Sequence, residues 1–248
     1  MTELRVATFN CRYDTPYDGP DAWPNRREQV VDLLADIDAD LFGVQEATPH
    51  QFDYLQDQLP GYEWFGVGRK GGEEGEHVPV AYRPEKVEAL ETGAFWLSPT
   101  PDEVSVGWDA AYPRVATWLS AEVDGQPLRF LATHFDHEGI EARYESARLL
   151  RDTFLTGEGP ELVVGDFNAT PQSRPVTQLT AGGLRTAREA AATVEGPQGT
   201  FHQFDGHADD RIDYIFTSDD FAVSRFETVI SRAPYPSDHW PVVADLVF

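Results

Sequence analysis

The sequence is short of basic residues, and lysine is the scarcest of them, with only Lys70 and Lys86 among 248 residues. Lysine and arginine together number 19 against 43 aspartates and glutamates, which gives a formal net charge of −24 at pH 7. Nonspecific binding to polynucleotides relies on basic side chains that neutralise phosphates. The deficit therefore argues against a protein that tracks along DNA or RNA by electrostatic attraction.

Disulfides, membrane spans and secretion signals are also missing from the sequence. Its single cysteine, Cys11, excludes an intrachain disulfide. No run of 18 apolar residues is present, so the sequence predicts no membrane span. Residues 2–5 lead straight into a strand pattern, without the basic and apolar stretches of a secretory signal. Together these absences predict a cytoplasmic protein, and nothing in the sequence predicts a protein partner.

The excess of negative charge also bears on the conditions in which the chain is stable. Repulsion among like charges destabilises a compact state at low ionic strength. At molar salt the Debye length falls to about 3 Å and most of that repulsion is screened. We therefore hypothesise a salt-loving (halophilic) host, with an acidic protein from a mesophile as the alternative.

Apolar patterns of period two and of helical period alternate along the chain, with no repeat and no linker that would divide it. Residues 1–248 are therefore expected to form one domain. The helical patterns cover residues 25–37, 49–59 and 139–154. The strand patterns cover residues 4–9, 41–45, 62–67, 78–82, 87–96, 116–123, 128–133, 162–164, 212–216, 221–229 and 242–247. Hairpins mixed with βα units predict an α/β (α+β) fold, a four-layer sandwich of two packed mixed β-sheets flanked by helices.

Polar side chains close several of the predicted strands. Asn10, Glu46 and Asp166 with Asn168 each follow a short apolar run, and the pair Asp238-His239 precedes the last strand. Hard cations prefer oxygen ligands, and a histidine near its neutral pKa can accept a proton from water. These residue types are what a divalent cation and a phosphate need. Each position alone is equally consistent with a cap, a turn or a surface polar group.

Two further positions extend this set. Asp213 lies within an apolar strand pattern and would need a partner, and a hydrogen bond to His239 would orient the imidazole and stabilise its protonated form. His134 follows another strand, although a histidine satisfied by the backbone would give the same pattern. No His-x-x-x-His pair lies on a predicted helix, which argues against a zinc hydrolase.

The order of these motifs resembles the endonuclease/exonuclease/phosphatase superfamily, which has the DNase-I-like fold, and a microbial branch similar to deadenylase domains. The matching segments, from first to last, are Thr8-Phe9-Asn10, Val44-Gln45-Glu46, Thr133-His134, Gly165-Asp166-Phe167-Asn168, Ile212-Asp213-Tyr214 and Ser237-Asp238-His239. The resemblance implies a site for Mg²⁺ (or Mn²⁺) with Glu46 as its principal ligand. Asn10 and Asp238 would complete that site, directly or through water.

The same resemblance implies catalytic roles. Asp166 would position or deprotonate the attacking water, and Asn168 would hydrogen-bond a phosphate oxygen. His239, held by Asp213, would act as the general base or as an imidazolium that binds phosphate. His134 would stabilise the transition state from the other side of the phosphorus.

Candidates for substrate binding come from the long segment 98–113 and from other parts of the chain. Arg114 and Arg143 can hold a phosphate as bidentate donors. Trp108 and Trp240 can stack on a base or sugar, and His137 follows His134 in the same loop. For each of these residues, a surface or core role is the alternative.

A divalent-metal-dependent phosphoesterase accounts for all of these features, and a phosphodiesterase or nuclease is the favoured form. The scarcity of basic residues favours a small phosphodiester or a single-stranded nucleic acid over duplex DNA. The alternative is a phosphomonoesterase acting on a sugar, inositol or lipid phosphate headgroup. A more remote alternative is a catalytically silent binding module on the same scaffold.

Overall fold

Two mixed β-sheets face each other in the computed structural model, which describes residues 2–157 and 159–248. The strands in chain order are β1 (Glu3–Asn10), β2 (Leu41–Gln45), β3 (Glu63–Phe65), β4 (Val80–Tyr82), β5 (Val87–Trp96), β6 (Val115–Val123), β7 (Gln126–His134), β8 (Glu161–Asp166), β9 (Arg185–Thr186), β10 (Thr193–Glu195), β11 (Asp213–Thr217), β12 (Ala222–Thr228) and β13 (Val242–Val247). The helices are α1 (Trp23–Ile37), α2 (Pro49–Gln58), α3 (Ile140–Thr153), α4 (Arg174–Ala181) and α5 (Ala187–Ala190), with a 3₁₀ helix over Pro16–Asp21.

Each sheet has a parallel pair near its centre. The seven-stranded sheet has the order β10-β12-β13-β1-β2-β4-β3, and the six-stranded sheet has the order β5-β6-β7-β8-β11-β9. Helix α1 connects the parallel strands β1 and β2, and α3 connects the parallel strands β7 and β8. Strand β13 lies antiparallel to β1, and the backbones of Thr2 and Phe248 exchange hydrogen bonds of 2.9 and 3.1 Å beside them.

Three separate apolar cores show that the sheets and helices form four layers. Successive residues of β8 point in opposite directions, so that Leu162 and Val164 join the core between the sheets while Val163 faces α3 and α4. In β1, Val6 and Ala7 divide in the same way between the central core and the core under α1 and α2. The predicted sandwich of two mixed sheets flanked by helices is confirmed.

The two sheets approach each other closely where Gly43 of β2 faces β7 and β8. A methyl group built on Gly43 would lie 2.6 Å from Cβ of Ala132 and 3.0 Å from Cγ2 of Val164. Only a residue without a side chain fits there at this spacing. The close approach brings the carboxyl ends of strands from both sheets to one edge of the sandwich.

The structure adds elements that the sequence analysis did not predict and shifts the position of one predicted site residue. Strands β9 and β10 and helices α4 and α5 are short, with two to eight residues each, so they carry too few residues for a periodic pattern. Asp213 begins its strand rather than lying within it, whereas Glu46 directly follows β2, as predicted. Among residues 2–157 and 159–248, no helix has the length and apolar character needed to cross a membrane.

Candidate active site

Two carboxylates, those of Glu46 and Asp166, form the floor of a cleft between the sheets, and the side chain of Asn10 lies beneath them. Asn10 ends β1, and its Nδ2 donates hydrogen bonds of 3.0 Å to Glu46 Oε1 and of 3.0 Å to Asp166 Oδ2. Glu46 has a positive φ of 66°, and its Oε2 accepts a hydrogen bond from the Tyr13 backbone N–H. The amide of Asn10 therefore orients two carboxylates that belong to different sheets.

A buried histidine–carboxylate pair lies beside this floor. His239 Nδ1 and Asp213 Oδ2 are 2.9 Å apart, and both side chains are buried. Burial alone would disfavour the imidazolium, but the carboxylates of Asp213, Asp238 and Asp166 outweigh it and raise the pKa of His239 to about 10. His239 is therefore protonated at neutral pH and directs Nε2 towards the cleft, 3.9 Å from Asp166 Oδ2.

Asp166 occupies the centre of the site. It pairs with Asp213 in the register of β8 and β11, and its Oδ1 accepts a hydrogen bond of 2.9 Å from the Asn168 backbone N–H. Burial and the nearby Asp213 carboxylate raise the pKa of Asp166 to about 7. A carboxylate with this pKa can take up or release a proton near neutral pH.

The opposite wall of the site carries a neutral histidine and an amide. Asn168 has a positive φ of 47°, and its Nδ2 lies 3.0 Å from the Phe135 carbonyl and 3.1 Å from His134 Nε2. Burial and the Arg114 guanidinium lower the pKa of His134 well below its ordinary value. His134 is consequently neutral at pH 7, in contrast to His239.

The donor atoms at this site fit a hard divalent cation. Oxygens of Glu46 and Asp166 and a nitrogen of His134 all lie within 4.8 Å of one another, and Asp238 lines the same cleft. Burial raises the pKa of both Asp166 and Asp238. The positive groups nearby therefore do not fully offset the negative charge of these carboxylates. A divalent cation would supply the missing positive charge, and carboxylate oxygens are the ligands that Mg²⁺ prefers.

The cleft above this cluster has a volume of about 410 Å³. Three guanidinium groups line it, those of Arg12, Arg69 and Arg114. The remaining lining residues are Tyr13, Glu46, Glu76, Tyr112, His134, His137, Asp166, Asn168, Phe201, Ile212, Asp238 and His239. Asn10 and Asp213 stand directly behind this lining and bond to Glu46 and His239 respectively.

Two of the predicted substrate-binding residues line the cleft, and they contact each other. Arg114 Nη2 lies 2.9 Å from His137 Nδ1, while Arg114 Nε donates to the buried Asp136 carboxylate. Trp108 and Arg143 are not among the residues that line the cleft. Arg143 instead donates a hydrogen bond to the Asp136 carbonyl.

Trp240, for which the sequence left open a stacking role or a core role, is buried. Its ring stacks on His202, with the centroids 3.7 Å apart. Because the neighbouring imidazole covers this face of Trp240, that face is not available to a base or sugar. Phe201, which the sequence analysis did not select, lies 4.9 Å from the His239 ring and lines the cleft.

The sequence analysis also missed three charged residues of the cleft. Arg12 follows β1, binds Asp18 through two hydrogen bonds of 2.8 and 2.9 Å, and has Nη1 3.8 Å from Asp238 Oδ2. Arg69 and Glu76 come from the glycine-rich segment after β3. Arg12 could have been selected from the sequence because it lies two residues after Asn10. Arg69 and Glu76 belong to no recognisable motif.

A buried arginine fixes the segments on which the site is built. The guanidinium of Arg26, in α1, donates hydrogen bonds to the backbone carbonyls of Asp21, Cys11, Arg12 and Pro236, with distances of 2.5–2.8 Å. It therefore joins the chain after β1 to the chain just before Asp238. This connection holds together site residues that lie far apart in sequence.

Comparisons with known proteins agree with this geometry. The model of the Endonuclease/Exonuclease/phosphatase family matches residues 7–239. An endonuclease/exonuclease/phosphatase from Bacteroides vulgatus is 38% identical, with a TM-score of 0.95 over 100% of this chain and 99% of that chain. A mannosyl-6-phosphatase from Bacteroides thetaiotaomicron is 35% identical, with a TM-score of 0.92 over 99% of this chain and 100% of that chain.

A curated relative is more distant. The Uncharacterized protein L388 of Acanthamoeba polyphaga mimivirus is 25% identical in an alignment of 178 residues that covers 64% of this chain and 63% of that protein. The chain thus spans less than two thirds of the length of this relative.

Proposed function

The chain belongs to the endonuclease/exonuclease/phosphatase family, whose members are phosphoesterases, and from this membership we propose that its substrate is a small phosphate monoester. A sugar phosphate fits the cleft best. We therefore favour a phosphomonoesterase over the phosphodiesterase that the sequence analysis favoured.

One observation carries the proposal: three arginines line a cleft of about 410 Å³ together with the carboxylates and His239. A phosphate monoester presents a terminal group with up to two negative charges, and guanidinium groups bind such a group through paired hydrogen bonds. A cleft of this size is typical of sites for one small molecule. The mannosyl-6-phosphatase that is 35% identical to this chain supports the same assignment.

The proposed roles follow from the positions of the side chains. His239, protonated and held by Asp213, donates a hydrogen bond to a phosphate oxygen. Asp166, whose pKa is raised to about 7, orients the attacking water and accepts its proton. Asn168 donates its amide to a second phosphate oxygen.

We propose Mg²⁺ (or Mn²⁺) as the cation, held by Glu46 and Asp238, with Asn10 orienting Glu46. The cation supplies charge neutralisation for the phosphate and for the developing oxyanion.

High salt is proposed as the working condition because of the net charge of −24. The cytoplasmic location stays a prediction.

A phosphodiesterase or nuclease is the second candidate. Two aromatic rings, Tyr112 and Phe201, line the cleft and can stack on a base. A short single-stranded oligonucleotide could enter without the extended basic surface that duplex binding needs.

The test is hydrolysis of mannose 6-phosphate, bis-p-nitrophenyl phosphate and a short oligonucleotide, at high salt with Mg²⁺ or Mn²⁺. We expect kcat/KM to be highest for the monoester, by about tenfold or more, because only a monoester presents a phosphate dianion to the three arginines. Faster cleavage of either diester would favour the second candidate instead. Cation binding without any hydrolysis would indicate a silent binding module.

A further inference from the structure

The arginine that follows β1 has a backbone conformation that several hydrogen bonds maintain. Arg12 has a φ of 56°, in the left-handed region that residues other than glycine rarely adopt. Its N–H donates to Asn10 Oδ1 at 2.9 Å, and its carbonyl accepts from Arg26 Nη2 at 2.6 Å and from Gln51 Nε2 at 2.9 Å. Glycine would adopt this conformation without strain. What Arg12 contributes at this position is therefore its side chain, and strained residues of this kind cluster at functional sites.

Two neighbouring side chains fix the guanidinium of Arg12. Its Nε and Nη2 donate hydrogen bonds of 2.9 and 2.8 Å to the two carboxylate oxygens of Asp18. Its central carbon lies 4.5 Å from the ring centroid of Tyr13, a cation–π distance. Arg12 and Tyr13 line the cleft, whereas Asp18 is not among the lining residues. The guanidinium is thus held from behind, in one orientation.

The donors of Arg12 that Asp18 leaves free form a second binding edge. A guanidinium has five N–H donors in a planar fork. Two of them donate to Asp18, so three remain, one on Nη2 and two on Nη1. Within residues 2–157 and 159–248, Nη1 makes no hydrogen bond, because Asp238 Oδ2 at 3.8 Å is too distant for one. The Nη1–Nη2 edge therefore offers two parallel donors, which is the geometry that binds two phosphate oxygens.

The three arginines of the cleft differ in their distance from the proposed cation site. Arg69 and Arg114 form ion pairs with carboxylates that are not proposed to bind the cation. In the part of the chain that the structure describes, Arg12 is the one of the three within 4.0 Å of Asp238, a proposed ligand. Asp238 directly precedes His239, the proposed donor to a phosphate oxygen. Arg12 is therefore the cleft arginine that borders the place where the phosphate would react.

We propose that Arg12 is a catalytic residue that binds two oxygens of the reacting phosphate through its Nη1–Nη2 edge and stabilises the charge that develops there. This inference rests on the proposed function of the cleft. Asp18 is a positioning residue, since it acts only through Arg12.

The experiment compares Arg12→Ala with wild type on mannose 6-phosphate and on bis-p-nitrophenyl phosphate. We expect kcat to fall by about 10²–10³-fold on whichever ester the wild type hydrolyses, because a donor to the transition state is lost. Guanidinium chloride, below the concentrations that unfold the protein, should raise the kcat of Arg12→Ala by about tenfold or more, since the free ion supplies the same paired donors. An equal concentration of KCl should not. Arg12→Lys keeps the charge without the planar fork, so it should recover only part of the activity.

Inhibition by inorganic phosphate is the second readout. We expect its inhibition constant to rise by about tenfold in Arg12→Ala, because the paired hydrogen bonds to phosphate are lost. Arg27→Ala is the matched control, since Arg27 is exposed in α1 and its loss changes the net charge equally. Asp18→Asn should lower kcat by a smaller factor, and guanidinium should not restore it, because the arginine is still present.

Two results would overturn the inference. One is a near wild-type kcat in Arg12→Ala. The other is a loss of kcat that guanidinium does not restore, together with an unchanged inhibition constant for phosphate, since this would leave Arg12 with a structural role. Thermal melts of every variant identify any loss of folding, and Arg12→Lys then carries the comparison.

Failure of the proposed function would look different. A wild type that prefers the diester would refute the monoesterase, while Arg12→Ala would still be tested on that diester. A wild type that hydrolyses neither ester would refute the proposed function altogether. Arg12 would then be judged by calorimetry with inorganic phosphate, where equal binding by wild type and Arg12→Ala would overturn its assignment.

Discussion

His239 and His134 lie in the same cleft, yet their surroundings shift the two imidazole pKa values in opposite directions. Three carboxylates raise the pKa of His239 to about 10, while burial and Arg114 lower that of His134. Such opposite pKa shifts favour different roles for the two side chains: His239 as a charged hydrogen-bond donor and His134 as a neutral group. The imidazolium role of His239 is therefore favoured over the general-base role in the metal-free protein.

Replacing His239 by alanine tests its role directly. We expect His239→Ala to lower kcat by about 10²–10⁴-fold, since the group contributes to proton transfer or to charge stabilisation at the phosphate. The circular dichroism spectrum should be unchanged. Asp213→Asn is the companion variant, which keeps the shape of the pair but removes the charge that raises the pKa of His239. Turnover by His239→Ala at a near wild-type rate would contradict the assignment.

The raised pKa of Asp166 predicts how stability depends on pH. Its pKa in the folded protein is about 7, above the ordinary value of 3.8, so the folded state retains a proton that the unfolded chain releases between these values. Asp166 should therefore contribute stability to the metal-free protein that is lost, by about 1–3 kcal/mol, as pH rises from about 4 to about 7. His239 should add a further loss between its ordinary pKa of 6.5 and its raised value of about 10.

Urea unfolding in EDTA at several pH values measures this loss. The same series with saturating Mg²⁺ should show a smaller decline, because the cation replaces the protons that the carboxylates release. A decline of equal size in Asp166→Asn, which lacks the titrating carboxyl group, would exclude this electrostatic account.

At the scale of elements, the site depends on strand ends that meet across two sheets. Strands β1 and β2 deliver Asn10 and Glu46, and β8 delivers Asp166 from the other sheet. Gly43 permits this meeting, because no side chain separates β2 from β7 and β8 there. A change in the distance between the two sheets would therefore change the distances between Asn10, Glu46 and Asp166.

Gly43→Ala tests this coupling. The added methyl group would lie 2.6 Å from Ala132 Cβ, so the sheets must separate or shift, at a cost of about 1–3 kcal/mol in unfolding free energy. We expect kcat to fall as well, because Glu46 is only three residues further along the chain. Gly61→Ala is the control, since nothing lies within 4 Å of its added methyl group. Equal melting temperatures for the two variants would contradict the conclusion that a side chain at position 43 disturbs the packing of the sheets.

The elements show which parts of the fold and site can be predicted from sequence. The bounds of β2 and β13 match the apolar patterns residue for residue, because buried strands have continuous or alternating apolar residues. Site residues next to such strands, such as Asn10 and Glu46, are predictable for the same reason. Arg69 and Glu76 are not, since their segment has no period and their positions depend on tertiary contacts.

At the scale of the whole molecule, negative charge and a buried polar cleft act together. A net charge of −24 is distributed over a chain whose cleft already contains several incompletely offset carboxylates. Monovalent salt therefore screens repulsion over the whole surface, whereas a divalent cation stabilises the protein by binding at one site. That residues 1–248 form a single domain stays a prediction.

Melting curves in KCl test the effect of charge. We expect the melting temperature to rise by about 5–10 °C between low and molar KCl, because screening reduces repulsion among the surface carboxylates. The measurement should be made in EDTA, so that trace divalent cations do not contribute. A melting temperature that is flat or falling with KCl would disprove the salt-loving hypothesis.

The antiparallel pairing of β1 with β13 has a consequence during synthesis on the ribosome. Strand β1 is translated long before β13, so one of its two edges has no partner until residues 242–247 have left the exit tunnel. A nascent chain therefore presents an open backbone edge while the intervening residues are translated, which favours chaperone binding and intermolecular aggregation. The cleft would also stay incomplete over this interval, since Asp238 and His239 lie just before β13.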